Sequence, residues 1–321
     1  MRANGYIDQT ICVDRAVTPK SSMRRLRAAY ARGENVMDLL RDETGSQQNS
    51  TEAVLTAYDL QAGTYRRLLS NPEYRVRKAH NTGIIAEVLS QLPGDSLLDA
   101  GVGEATTLGP VLHKLNRRFS RVAGFDLSWS RLAHAREYLD EIGITDVLLF
   151  TGDLMHIPVA DETFDIVFTS HALEPNHERE REVIAELARI SRRWIVLFEP
   201  SYEHGSEQTR EAITRKGYVR GLADAAKANG LAIVRDELAG FICSPGNETG
   251  LLILKKEPSR DRCDPSAEWL VCPLCKRALL KVRGNNFCPE DGLAFPILDD
   301  LPCLLAQNGV LATQFVALDS V

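Results

Sequence analysis

The sequence predicts an α/β protein built on a mostly parallel sheet with helices on both faces, and three observations carry that reading. From Ser96 onward, apolar runs of strand length alternate with amphipathic helical stretches, a pattern that buries a parallel sheet between two helix layers. Ahead of it, residues 36–92 show helical periodicity, and behind it a turn-rich tail carries cysteines two residues apart. The 321 residues are 44% hydrophobic and 26% charged, an ordinary soluble composition with enough apolar surface for one large core and attachments.

The elements follow in order. ENVMDLLRDETG reads as a helix closed by Gly45, and STEAVLTAYDLQAGTYRRLL as a second helix opened by Ser50 or Thr51. Asn71-Pro72 breaks the pattern, and a third helix runs toward Leu92 until Pro93-Gly94 ends it. Strands are expected at 96–100, 121–126, 146–150, 164–170 and 194–199, with helices between them at 130–143 and 177–191. In the latter, Val183, Ile184, Leu187 and Ile190 fall on one apolar face. A helix over 209–230 and the strands LAIVRDEL and TGLLILKK follow, and the loop joining these two strands predicts an antiparallel edge strand.

The net charge is −6, which does not advertise nucleic-acid binding. Residues 1–80 hold 13 Lys+Arg against 9 Asp+Glu, and the rest of the chain 25 against 35. The basic stretches RRLRAAYAR (24–32) and RVRK (75–78) are read as solvated helix faces. MRANGYIDQTICVDRAV lacks an apolar signal region, no run reaches membrane-span length, and the clustered cysteines do not form a disulfide framework. A cytoplasmic location without membrane contact is the expectation.

SLLDAGVGEATTL places a Gly-x-Gly turn straight after the first strand, where glycines let backbone approach a ligand and the next helix presents free N–H groups. A dinucleotide fingerprint needs a third glycine at Thr106 and lacks it. Asp99 ends the first strand two residues before Gly101, in a position that would repel a pyrophosphate and attract a cationic group. Asp126 ends the second strand, where a carboxylate can accept from ribose hydroxyls, and Gly152-Asp153-Leu154 follows the third.

LLDAGVGEA, GFDLS and TGDLMHIPVADETFDIVFTSHALE together resemble the successive motifs of the class I S-adenosylmethionine-dependent methyltransferases, over roughly residues 80 to 255. The resemblance implies a seven-stranded Rossmann-like sheet with the last strand antiparallel. It implies that Gly101 and Gly103 line the methionine part of the cofactor, that Asp99 faces its amino-acid end, that Asp126 holds the ribose and that Asp153 meets the adenine amino group. Ala100, Leu127, Gly152, Leu154 and Ser170 complete the expected cofactor set. Ala105 departs from the family, which commonly has glycine there. Asp165 is read as a strand-entry residue and not a ligand. The domains expected are an N-terminal tail and helical lid section over 1–80, the methyltransferase core over 81–256, and a linker with a small domain over 257–321.

In that tail, Cys272 and Cys275 form a knuckle that can grip one tetrahedral ion, and Cys288-Pro-Glu-Asp291-Gly outlines a second with a carboxylate in place of a thiolate. Cys303 and Cys263 are rival fourth ligands, Cys303 reading better as core. The CPLCK knuckle, the CPEDG turn and FPILDDLPCLL resemble the small zinc-ribbon activator subunit of tRNA and protein methyltransferases and its bacterial relatives. The resemblance implies zinc on Cys272, Cys275, Cys288 and Asp291, with a metal-free mini-domain as the alternative.

The loop after the fourth strand offers His171, Glu174 and His177, and the loop after the fifth offers Glu199, Tyr202, Glu203 and His204. His171, His177 and His204 are the candidate bases for removing an acceptor proton. No Asn-Pro-Pro-Tyr follows the fourth strand and no cysteine follows the fourth or fifth, which argues against amide or adenine amino-group methylation and cytosine-C5 methylation. Cys243 reads as structural. The expected activity is methyl transfer to the oxygen or nitrogen of a small molecule. The alternatives are an RNA methyltransferase that uses the basic N-terminal helices and the ribbon, and a non-catalytic scaffold. The ribbon region (264–321) holds 4 basic against 7 acidic residues, a poor phosphate surface. Self-association through the ribbon or the N-terminal helices is a further expectation.

Overall fold

The computed structural model describes residues 22–45, 49–244, 246–257 and 268–316, and it divides into two compact units, Met1–Ala57 and Tyr58–Val321. In the first, α1 (Met23–Ala31) starts at the N-cap Ser22 and buries Leu26 and Ala29, leaving Arg24, Arg25 and Arg27 exposed as the solvated face the sequence predicts. Asn35 caps α2 (Val36–Thr44) by accepting from the N–H groups of Met37 and Asp38, and Gly45 ends it in the left-handed region. Ser50 caps α3 (Thr51–Leu60), its Oγ accepting from the Ala53 N–H at 3.1 Å.

The single helix expected to run on through Leu69 is two helices. Gly63, at φ +83°, turns the chain before α4 (Thr64–Leu68). Asn71 then caps α5 (Pro72–Ser90), with proline in the first turn where no N–H is needed.

The sheet strands are β1 (Ser96–Ala100), β2 (Arg121–Asp126), β3 (Val147–Thr151), β4 (Phe164–Ser170) and β5 (Ser191–Pro200). Between them lie α6 (Leu108–Lys114), α7 (Trp129–Glu141) and α8 (Glu180–Ile190). After β5 come α9 (Glu207–Lys216), α10 (Leu222–Ala228), β6 (Ala232–Ser244) and β7 (Asn247–Lys255). The helix expected over 209–230 is therefore also broken, at Gly217 and Gly221, both in the left-handed region. The sheet order is β3-β2-β1-β4-β5-β7-β6. The last strand is antiparallel as the sequence predicts, but it lies one place in from the edge. β7 pairs antiparallel with both β5 and β6, so β6 holds the edge. Both faces are buried. One carries Val183, Ile184, Leu187 and Ile190 of α8, and the other carries Ile85 and Leu89 of α5 with Leu132 and Ala135 of α7. Asp165 takes the role expected of it, its Oδ2 accepting from Asp95 N at 2.8 Å and Ser96 Oγ at 3.2 Å where β1 begins.

The tail forms β8 (Leu280–Val282), β9 (Asn285–Cys288), β10 (Leu293–Phe295), β11 (Ile297–Leu298), β12 (Leu301–Pro302) and β13 (Val310–Leu311). Four of these strands make a sheet in the order β13-β10-β9-β8. The tail shares the core of the large sheet, since Cys272, Leu279, Phe295 and Leu304 lie in the same apolar cluster as Phe125, Phe150 and Phe164. Trp269 packs edge-on against Phe164 (5.1 Å between centroids) and Phe150 (5.9 Å). Cys303 bridges to Thr151 in the parallel sense, and Leu304 N–H donates to Thr151 Oγ1 at 2.8 Å. The open edge at β3 is thereby covered at its C-terminal end, which protects a strand that would otherwise present unpaired backbone groups. Trp269→Ala is expected to cost about 2 kcal/mol, less than for a fully buried ring, read as a lower urea midpoint. An unchanged midpoint would refute this docking.

Candidate active site

The predicted cofactor residues converge on one edge of the sheet, at the carboxyl ends of β1 to β4. Where β1 turns away, Gly101 lies at φ +89°, and a Cβ there would fall 2.3 Å from the Ala172 Cβ in the loop after β4. Only glycine fits. Ala105, where the resemblance leads one to expect glycine, keeps the left-handed conformation at φ +54° and is fully buried. Its side chain carries a strain of about 1 kcal/mol that glycine would not.

At the end of β2, Asp126 accepts from the Gly103 N–H at 3.0 Å through Oδ2 and from the Ser128 N–H at 2.9 Å through Oδ1. A carboxylate has lone pairs left over after two such bonds. Gly152 N–H donates to the Asp126 carbonyl at 3.0 Å, and Asp153 Oδ1 accepts from Met155 N–H at 3.0 Å, closing the turn that carries Leu154. Asp99 is buried within β1, and burial pushes its carboxyl well above the usual carboxylate range while Lys78 opposes the shift. Lys78 reaches in from α5 to donate to Thr107 Oγ1 at 2.6 Å, and burial lowers its own pKa.

Sequence reasoning missed the groups that cover this edge. Glu104, inside the glycine turn and almost fully buried, accepts from the N–H groups of Gly63 (3.0 Å), Tyr65 (3.3 Å) and Arg66 (2.7 Å). It supplies the cap that Gly63 cannot give to α4. Asp59 Oδ1 accepts from Ser128 Oγ at 2.6 Å and Ser130 N–H at 3.3 Å. Between these two ties the Arg131 guanidinium stacks over Tyr58 (5.0 Å) and Tyr65 (5.1 Å), 4.0 Å from Asp126. Its Nε is buried with no hydrogen-bond partner, an orphaned donor beside a carboxylate that fits a ligand bearing oxygens. The available signal was an acidic residue within a glycine turn and a glycine, with no polar cap, opening a helix.

The three predicted histidines join separate networks. His171, at φ +55°, places Nδ1 2.7 Å from Glu174 Oε1 and Nε2 2.9 Å from Thr249 Oγ1. Burial opposes its charge, but Cys243 and Glu174 beside it more than offset this and raise its pKa well above the ordinary value. Cys243, expected to be structural, thus faces His171. Burial works against its thiolate, yet His171 and Lys78 hold its pKa below the usual value. The loop bearing His171 is positioned by Glu199, which accepts from Thr169 Oγ1 (2.7 Å), Ala172 N–H (3.1 Å) and Leu173 N–H (3.1 Å). Burial pushes Glu199 up to about 7. His177 sits between Glu180 Oε1 at 2.8 Å and Arg220 Nη2 at 2.8 Å, so Nε2 accepts and Nδ1 donates. His204 pairs with Asp236 at 2.8 Å.

In the tail, the donor atoms of Cys272, Cys275, Cys288 and Asp291 lie within 4.8 Å of one another. Asp291 Oδ2 is 3.1 Å from Cys272 Sγ and 3.2 Å from Cys288 Sγ, and the Cys275 and Cys288 sulfurs are 3.4 Å apart. Three sulfurs and one carboxylate at that spacing can hold a tetrahedral zinc ion. Cys303 stands outside the group, buried at the β3 edge, and Cys263 lies outside the described residues. Protein purified without chelator is expected to carry about one zinc per chain by elemental analysis, and Cys288→Ser to carry far less. A metal-free protein with an unaltered melting curve in excess zinc would sink this assignment.

Residues 97–193 match the family model described as a methyltransferase domain. The demethylmenaquinone methyltransferase of Thermobifida fusca is 32% identical over 99 residues, 31% of this chain and 40% of that enzyme. The chain thus spans under half the length of the methyltransferase relatives it matches. A UPF0434 protein of Legionella pneumophila is 50% identical over 44 residues, 14% of this chain and 75% of that protein. The magnesium protoporphyrin IX methyltransferase of Synechocystis, solved with bound S-adenosylhomocysteine, superimposes with a TM-score of 0.51 at 18% identity, covering 65% of this chain and all of that one. With seven strands in the observed order, the chain carries a methyltransferase domain over residues 97–193 on a Rossmann-like sheet, and its C-terminal segment belongs to the UPF0434 family.

Proposed function

We propose that the chain transfers the methyl group of S-adenosylmethionine to a small-molecule acceptor, with His171 as the base. One observation carries this reading. Ala172, the residue after the His171–Glu174 pair begins, packs against Gly101 of the glycine turn, so the candidate base is one residue away from the cofactor's expected bed. S-adenosylmethionine held there would supply an electrophilic methyl, with the thioether sulfur as the leaving group.

The chain's residues then divide the work. Asp126 holds the ribose with the lone pairs its two backbone bonds leave free, and the buried Arg131 Nε donates beside it. Asp99 meets the cationic amino-acid end, whose charge opposes the upward shift that burial imposes on its carboxyl. Asp153 faces the adenine. Gly101 and Gly103 keep the turn under the methionine part in a left-handed conformation, where a side chain would meet Ala172 or Arg131. His171 takes the acceptor's proton while Glu174 fixes the ring and stabilises the imidazolium. Holding acceptor and methyl in contact supplies much of the acceleration.

A small acceptor is supported by the solvated placement of the basic α1 face. The names of two relatives, demethylmenaquinone methyltransferase and phosphatidylethanolamine N-methyltransferase, also point to non-polymer acceptors. The set Cys272, Cys275, Cys288 and Asp291 supports a structural zinc, far from the role of a reactant.

Asp126→Ala is expected to weaken S-adenosylhomocysteine binding at least tenfold by calorimetry, whereas His171→Gln leaves it unchanged and lowers kcat by about 100-fold or more. A variant lacking Asp126 that binds as wild type does would end the cofactor assignment. A base with a raised pKa must lose its proton before it can act, so kcat/KM should rise with pH on a limb centred above the ordinary histidine value of about 6.5. That limb should disappear in His171→Gln. A rate that falls or stays flat over the same range would exclude His171 as the base.

A further inference from the structure

Resting on the methyl-transfer reading, we propose that the acceptor enters a cavity between α5 and the β6–β7 pair, and that it is a small amphiphile with an anionic group and a hydrogen-bond donor. The cavity measures about 300 Å3, at the small end of ligand sites. It arises from the sheet itself. Leu238 faces Gly250 while Ile242 faces Glu248, so β6 carries two more residues than β7 across this span and bulges outward. At the bulge Gly240 lies at φ +81° with nothing within 4 Å of where a side chain would begin.

The floor is polar and buried. Asn81 Nδ2 donates to the Ile242 carbonyl at 3.4 Å, but its Oδ1 has no partner, and a buried acceptor left unpaired is costly until a ligand donates to it. Beside it the fully buried Thr249 hydroxyl meets His171 Nε2 at 2.9 Å. The cavity therefore ends at the residue that steadies the candidate base. Its wall is apolar, with Phe241 buried and Leu238 and Ile242 41% and 45% exposed at the opening.

The charge of the occupant follows from the rim. Arg77 is exposed there, resting on the Tyr74 ring at 5.4 Å and, among the described residues, without a carboxylate partner. His80 adjoins it one helical turn further on. Glu248 also lines the cavity, its Oε2 drawn toward the start of α9 by Ser206 N–H at 2.6 Å and Thr209 Oγ1 at 2.9 Å. A carboxylate or phosphate at the mouth, an apolar body against Phe241 and a hydroxyl or amine at Asn81 satisfy all three zones.

The test uses the full chain and a set of hydroxylated aryl and medium-chain monocarboxylates, each paired with its methyl ester. Binding is measured calorimetrically with and without S-adenosylhomocysteine. At least one acid should bind about tenfold tighter than its ester. Arg77→Gln should erase that preference, and Ile242→Trp, which fills the cavity from its mouth, should abolish binding of both. S-adenosylhomocysteine should bind the two variants as it binds wild type. Acids and esters binding alike, no binding by any member of the set, or binding indifferent to both substitutions would overturn the proposal. Failure of S-adenosylhomocysteine to bind would overturn the cofactor reading instead, with the cavity still judged on the acids alone.

Discussion

The Glu104 carboxylate is the contact on which the organisation of the active edge depends. It projects from the glycine turn and gathers three backbone N–H groups from the start of α4, each bond to a charged acceptor worth about 1.5–3 kcal/mol. The glycine turn thereby also carries α4 above it. Arg131 fills the space between, sandwiched by Tyr58 and Tyr65. Remove the carboxylate, and α4 keeps its orphaned amides while the rings lose their seat on Arg131.

The loop after β4 is organised in the same way. Glu199, at the end of β5, accepts from two amides of that loop and from Thr169. This holds Ala172 on Gly101 and His171 on Glu174. Two buried carboxylates, one after β1 and one at the end of β5 on the far side of β4, thus set the glycine turn and the loop of His171 in one frame, and the burial of both excludes water from the contacts they make.

The tail uses the opposite physics. Its cysteines and Asp291 can be held by one ion, but its attachment to the large sheet is apolar, through Trp269, Phe295 and Leu304, with ion pairs from Lys276 to Glu186 and from Arg136 to Asp299 at the margin. It lengthens the core at β3 and covers the carboxyl end of that strand. No helix among the described residues is long and apolar enough to cross a membrane.

The sequence by itself determined the alternation that builds the sheet, the turn at Gly101 to Gly103, the strand-end carboxylates and the cysteine knuckles, because each is a local pattern whose period or spacing is its own physical cause. Where it misread local structure, glycines were responsible: Gly63, Gly217 and Gly221 each break a periodic stretch at positive φ, and periodicity does not register a single permissive residue. Only the tertiary structure decided which groups meet across distance. Glu104 finds amides 38 to 41 residues away, and His171 finds Thr249 across 78 residues. Asn81 and Arg77 find the bulge of β6. The inward place of β7 is of the same kind. A strand's neighbours are chosen by the whole sheet closing its two faces, and no spacing within the chain encodes that choice.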